Sequence, residues 1–361
     1  MAGKFERKRF SEIDISDPFF NTLKQDYPEF ERTWFPKGVQ ENREALVFSD
    51  EIGLGAFIAL KRETEAIVLQ EGVIPARPRI KISTFRLAER FRGKRLGEGA
   101  LGLILWDWQN SKLDEIYLTV FQKHTDLTTQ LERFGFCVIG HNSRNELVYM
   151  RSRKTIDYSD PYKAFPFISP NFSKGGYLIV EDFYHDALFP YSELKNVPPE
   201  RLIEADAANG ISKIYVGKQW RPHYRIGEPI FIYRKYNGSL GKPRYKSCLT
   251  SFCIVAGVIL IKENGRYYKS FDEFCSIVGN KAVFQLDNLE QRYNSDKNVT
   301  VIKMLYGGYF GAGHNINMDW LDQNRLWSSP NQYPTQIRLS PQECLTIWSA
   351  GQIDTADIFG R

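Results

Sequence analysis

Apolar and polar positions alternate along the chain with two different periods, and the switches between them predict its elements. Residues 44–48 and 54–61 read as two strands of a hairpin around Asp50-Glu51-Ile52-Gly53, and 79–88 alternates in part as a further strand. Over 97–109 the period becomes helical: Leu101, Leu103, Ile104, Leu105 and Trp108 form one apolar face. A short strand follows over 115–120. A helix over 126–134 is then stopped by Gly135 in a C-cap position. Residues 136–139 and 146–150 predict a last hairpin across the turn His141-Asn142-Ser143-Arg144-Asn145. The first 151 residues read as a mixed α/β domain.

The periodicity dissolves between Ser152 and Lys174, where Pro161, Pro166 and Pro170 interrupt an aromatic stretch; this is the expected linker. Residues 175–361 are β-rich, with strands expected at 177–180, 213–216, 229–233, 249–261 and 298–305. Helices are expected at 192–195, 271–278, 286–293 and 341–350. The last begins with a capping box, Ser340-Pro341-Gln342-Glu343, carries proline at its first position and stops at Gly351. Short strands separated by turns predict a small β-barrel with added helices. The fold class is therefore α/β (α+β) with two domains, 1–151 and 175–361, joined by 152–174.

Composition narrows the function classes. The 361 residues are 42% hydrophobic and 25% charged, as expected of a globular protein with cores to bury. The longest apolar run, 253–261, has the length of a strand, and no apolar core follows the basic start Met1-Ala2-Gly3-Lys4. Membrane and secreted readings are therefore not expected. Five cysteines without a Cys-x-x-Cys pair fit reduced thiols and a cytoplasmic location better than a disulfide frame or a zinc site. The net charge of +5 is unevenly placed: residues 213–246 hold nine basic residues and one acid, Glu228.

The chemistry-bearing motif is Arg92-Gly93-Lys94-Arg95-Leu96-Gly97-Glu98-Gly99, between a predicted strand and a predicted helix. A glycine-bearing loop that opens a helix leaves main-chain N–H groups pointing outward, at the positive end of the helix dipole. Lys94 and Arg95 are expected to add charge, and a side chain at Arg95 is tolerable if its backbone keeps ordinary dihedrals. In order and spacing, this loop with its flanking elements and the ending Glu132-Arg133-Phe134-Gly135-Phe136 resembles the GNAT N-acetyltransferase superfamily over residues 4–151. That resemblance implies a mixed sheet flanked by helices and acetyl-CoA as cofactor. It places the pyrophosphate on the amides from Gly93 to Gly99, and a pantetheine arm along the strand edge near Phe85 and Leu87. The tyrosine acid common in the family is replaced by Leu131. His124 stands where asparagine is common, and can shuttle a proton near neutral pH. Glu89 and Glu51 are the carboxylates weighed as bases, and no metal site is expected.

Residues 210–258 resemble the PUA-like families, including ASCH and EVE domains, through Ile214-Tyr215-Val216-Gly217, the run from Tyr224 to Tyr233, and the apolar strand after Ser247. The basic residues are interleaved with aromatics, and cations that neutralise phosphate beside rings that stack bases suit a nucleic acid. Lys218, Trp220, Arg221, Arg225, Lys235, Lys242, Arg244 and Lys246 are the candidate contacts, and 235–246 is expected to protrude as a basic hairpin. A strand that hides its aromatics and exposes its cations explains the same pattern without a ligand. Two function classes follow. One is an acetyl-CoA-dependent N-acetyltransferase whose acceptor is RNA, an RNA-linked amine, a nucleic-acid-associated protein or a small-molecule amine. The other is a non-catalytic protein that binds RNA or DNA on a degenerate acetyltransferase fold.

Overall fold

The alternating segments of the first 152 residues pair into one sheet. A computed structural model describes residues 4–190, 206–219, 222–239, 241–327 and 334–360, and the chain divides into two units, Met1–Ile156 and Asp157–Arg361. In the first unit the strands are β1 (Lys4–Arg9), β2 (Glu44–Asp50), β3 (Gly53–Glu63), β4 (Ile67–Leu69), β5 (Gly72–Ile74), β6 (Arg79–Leu87), β7 (Glu115–Val120), β8 (Cys137–His141) and β9 (Leu147–Ser152). Seven of them form a sheet in the order β1-β2-β3-β6-β7-β9-β8, while β4 and β5 make a separate two-stranded ribbon. Every neighbouring pair in the sheet is antiparallel except β6 and β7, which are parallel and joined by a crossover helix.

The helices are α1 (Asn21–Asp26), α2 (Phe35–Gln40), α3 (Leu96–Ser111) and α4 (Thr125–Arg133). Because strand side chains alternate, Val47 and Phe57 bury one face of the sheet and Phe48 and Ala56 the other. On the first face the N-terminal helices build an aromatic knot of Phe10, Phe20, Phe30, Phe35 and Phe57, with ring centroids as close as 5.1 Å. Such pairs contribute about 0.5–1.5 kcal/mol each beyond their buried area. Helix α3 begins and ends slightly outside its expected range and buries Ala100, Leu101, Ile104, Leu105 and Trp108. Its C-terminal carbonyls are capped by Arg153, which donates to the oxygens of Trp108 and Gln109 at 2.6 Å.

In the second unit the strands are β10 (Gly175–Glu181), β11 (Ser212–Gly217), β12 (Pro229–Lys235), β13 (Cys248–Glu263), β14 (Arg266–Tyr267), β15 (Val299–Tyr309), β16 (Ile316–Asn317) and β17 (Arg338–Leu339). Their hydrogen-bonded path runs β11-β15-β13-β12-β10-β17, with β14 and β16 also paired to β13. Helices Phe271–Val278 and Pro341–Ala350 both start with capping boxes, on Ser270 with Glu273 and on Ser340 with Glu343. The expected helix at 192–195 lies outside the described residues. Residues 157–174, read from the sequence as linker, belong to this unit: Phe165 and Phe167 are buried, and Phe172 packs on Trp348.

Candidate functional site

The two parallel strands of the first sheet separate. β6 and β7 are in register at Arg79↔Glu115, Ile80↔Ile116 and Lys81↔Tyr117, and no further. Past that point β6 continues to pair with β3, and β7 with β9. The divergence follows an extra residue: Ala59 pairs with Thr84 and Leu60 with Ile82, so Ser83 has no partner on β3. A bulge of this kind bends its strand and increases the local twist. The closed end is pinned by Arg79, 1% exposed, which pairs with Glu115 and donates to the Pro75 carbonyl at 2.8 Å. Arg77 holds the other oxygen of Glu115 at 3.0 Å.

The facing edges of residues 82–87 and 118–120 open into a cleft of about 1320 Å³. Phe85 and Leu87 line it, as do Gly93, Arg95, Gly97 and Glu98 from the loop before α3. The Lys94 N–H is already used by the Phe91 carbonyl at 3.1 Å and that of Gly99 by Arg95 at 3.2 Å, the latter an ordinary helical bond. No side chain caps the start of α3, and among the described residues the Leu96 and Gly97 N–H groups meet no protein acceptor. Gly97 lies close to β6: a Cβ there would sit 2.9 Å from Leu87 Cδ1, so the end of that side chain would have to shift. Ser83 Oγ and Gln130 Nε2, both bordering the cleft, are buried without a hydrogen-bond partner.

Arg95 departs from expectation twice. Its φ of +63° is left-handed, because the chain must reverse sharply between Gly93, at φ +76°, and the first helical turn. A side chain in that region costs about 1–2 kcal/mol. Its guanidinium is buried and pairs with Glu98 at 3.0 Å, so it adds no free charge to the loop. Arg92 and Lys94 are exposed, Arg92 lying 3.6 Å from Asp126.

Among the candidate catalytic groups, His124 and Glu89 border the cleft. His124 precedes α4 and sits 3.9 Å from Asp26; burial, reinforced by the Lys123 charge, lowers its pKa below the ordinary 6.5. Glu89 is exposed at the end of β6. Glu51 is placed elsewhere: it is exposed at the β2–β3 turn, whose tight geometry carries it away from the cleft lining. Leu131 is fully buried in the core. The sequence reading missed Tyr27 and Glu146, which also line the cleft and are joined by a hydrogen bond of 2.6 Å. They lie 119 positions apart, and no local pattern links them.

In the second unit the basic run is largely internal or paired. Lys213 is buried and donates to the Ala207 and Ala208 carbonyls at 2.6 and 3.0 Å, and Arg234 is buried against Asp186. Strand β12 has neighbours on both sides and both its faces are covered, so Phe231 and Tyr233 are core residues rather than stacking platforms. Lys218 pairs with Asp296 at 2.7 Å and Lys235 lies 3.9 Å from Glu181. Arg244 joins Asp319 and Asp322, which push its pKa up. Its segment, Pro243–Lys246, is a helical turn where a protruding hairpin was expected. Arg225, Lys242 and Lys246 are exposed, with Lys246 over the Tyr236 ring at 5.8 Å. Trp220 and Arg221 lie outside the described residues. No cluster of three or more metal-ligating side chains occurs among the described residues, and none of their helices is long and apolar enough to cross a membrane.

No family model matches the chain, and no curated protein matches it. Among solved structures it is similar to a mutant form of ZmASCH from Zymomonas mobilis, at 12% identity and a TM-score of 0.31 over 48% of this chain and 95% of that one. It is similar to the N-acetyltransferase PaiA from Thermoplasma acidophilum in complex with coenzyme A, at 14% identity and a TM-score of 0.31 over 42% and 99%. A histone acetyltransferase HPA2 and related acetyltransferase structure from Corynebacterium glutamicum stands at 15% identity and a TM-score of 0.30 over 42% and 97%.

Proposed function

We propose that the first unit is an acyltransferase that takes an acyl-CoA, acetyl-CoA in the first instance, and passes the acyl group to an amine. One observation carries this reading: two parallel strands part beside an uncapped helix start, leaving an open strand edge and the first glycine of the helix, Gly97, in one cleft. The residues fit such a ligand. The Gly97 amide, with exposed Arg92 and Lys94 nearby, suits a diphosphate. The edge from Ile82 to Leu87, including Phe85, suits an amide-bearing arm, and the unpartnered Ser83 Oγ and Gln130 Nε2 are further polar contacts.

When bound, acyl-CoA supplies the activated thioester. The chain's own work is to hold the acceptor nitrogen in place and take its proton. His124 suits the second task. With its pKa lowered by burial it is neutral above about pH 6.5, and its ring borders the cleft. Glu89, which also borders the cleft, is the lesser candidate. RNA, an RNA-linked amine and a nucleic-acid-associated protein stay within the proposed acceptors. The non-catalytic alternative has less support, because the cleft is open.

The test is thermal denaturation of the full chain with millimolar CoA or acetyl-CoA. A ligand at a hundred times its Kd stabilises by about 2.7 kcal/mol, and Gly97→Trp, which fills the approach to Leu87, should abolish the shift. Absence of any stabilisation in the wild-type chain overturns the reading.

A further inference from the structure

Among the carboxylates of the cleft, Glu146 is set apart by what it lacks. It is 3% exposed, and its two oxygens accept from neutral donors: Oε1 from the Tyr27 hydroxyl and Oε2 from Asn142 Nδ2, each at 2.6 Å. Among the described residues no cation forms an ion pair with it. Its neighbours are provided for: Asp26 pairs with Lys123 at 2.7 Å, Glu29 with Arg144, and Glu98 with Arg95 at 3.0 Å. Among the described residues Glu89 has no ion pair either, but it is exposed to solvent. A carboxylate removed from water without a countercharge is costly, and such charges are ordinarily found paired.

The carboxylate is also held in place. The Asn142 N–H donates to the Glu146 carbonyl at 3.0 Å, while Asn142 Oδ1 accepts from the N–H groups of Arg144 and Glu146 at 2.9 and 3.0 Å. The register Val120↔Leu147 puts Glu146 beside the open end of β7, and Tyr27 is stacked on Phe121 with ring centroids 5.8 Å apart. A rigid turn thus presents a buried anion to the cleft at the end where the strands have parted.

We propose that Glu146, oriented by Tyr27 and Asn142, is the seat of a primary alkylammonium, the cationic acceptor of the reaction; this rests on the acyl-transfer reading. An ammonium supplies the missing countercharge as a compact donor of three hydrogen bonds. Trp34, which lines the same cleft, offers ring surface to the methylene groups that carry it. A single carboxylate among neutral donors is a poor divalent-metal site, which needs more oxygen ligands. Glu146 binds the cation and His124 remains the proton acceptor.

The test uses the full chain and two probes, n-hexylamine and its neutral analogue n-hexanol, titrated by calorimetry. The wild type should bind the amine at least tenfold more tightly than the alcohol. Glu146→Gln should erase that preference while leaving the CoA thermal shift unchanged, and Tyr27→Phe should reduce it about threefold. Equal binding of the amine by Glu146→Gln and wild type, or no preference for amine over alcohol in the wild type, overturns the proposal. Should Glu146→Gln not fold, Asn142→Ala and Tyr27→Phe loosen the carboxylate without replacing it and carry the same comparison. Amine preference without a CoA shift removes the acyl-CoA reading and leaves the cation seat; a CoA shift without amine preference does the reverse.

Discussion

Each unit contains one parallel strand pair in its main sheet, and the two pairs differ in how far they stay together. β6 and β7 hold for three registers and then part, whereas β10 and β12 remain paired for six, from Gly176↔Ile230 to Glu181↔Lys235. Both sheets contain an irregularity near the pair, so its mere presence does not decide the outcome. In the second unit it falls between Ile232 and Tyr233 on the β12–β13 side, where the extra residue is Thr250 on β13, outside the parallel pair. In the first unit the extra residue, Ser83, is on β6 itself. A bulge opens a cleft when it bends a member of the pair, and leaves the ladder closed when it sits on the strand next door.

Removing the charged pins of both pairs is the largest perturbation. Glu115→Gln uncovers buried Arg79, and Asp186→Asn uncovers Arg234, which now makes two 2.7 Å bonds to that carboxylate. Leaving one buried charge unpaired costs about 3–5 kcal/mol, so both variants should show a clear loss in urea denaturation. The comparison requires that Glu115→Gln also weaken the CoA thermal shift and that Asp186→Asn leave it intact. An equal effect of the two on CoA would break the contrast.

A smaller effect comes from pH. His185, wholly buried between Asp186 at 2.9 Å and Thr250 at 2.7 Å, has its pKa lowered by burial despite the neighbouring carboxylate. The unfolded chain then binds its proton first as pH falls. Stability is complete above about pH 6.5 and declines below it, by at most about 1.4 kcal/mol per pH unit until the folded-state value is reached. His185→Asn should flatten that slope between pH 6.5 and 4.5 in thermal scans. A wild-type curve already flat over that range would remove the buried-neutral assignment. The weakest effect is nucleic-acid binding: with Arg225, Lys242 and Lys246 as exposed cations, the log–log salt slope for single-stranded RNA should be about −2. A slope near zero would leave the second unit without phosphate contacts.

How much of this is visible in the sequence follows from the range of each interaction. Helix α3 and the strands around it announce themselves because a single buried face sets their period. Phe10, Phe19, Phe20, Phe30 and Phe35 belong to short turns whose rings meet only after the chain has doubled back, so no period marks them. The basic run shows a related limit. Lys213 and Arg234 look like surface charge until tertiary partners, two carbonyls and one carboxylate, draw them inside. The loop before α3 is legible as glycines before a helix. The parting of the strands is not, since it depends on a register between β3 and β6, and the Tyr27–Glu146 bond spans 119 positions.

Because side chains on a strand point alternately up and down, one surplus residue leaves the two halves of β6 out of step. Trimming Ser83 would make Ile82 and Thr84 consecutive opposite Leu60 and Ala59, removing the bend while Thr84 to Leu87 keep their partners on β3. The doorway into this half of the molecule is therefore a matter of counting as much as of chemistry. An engineer wishing to shut it could shorten the strand by that one residue, giving up a single hydroxyl, Ser83 Oγ, of the cleft lining.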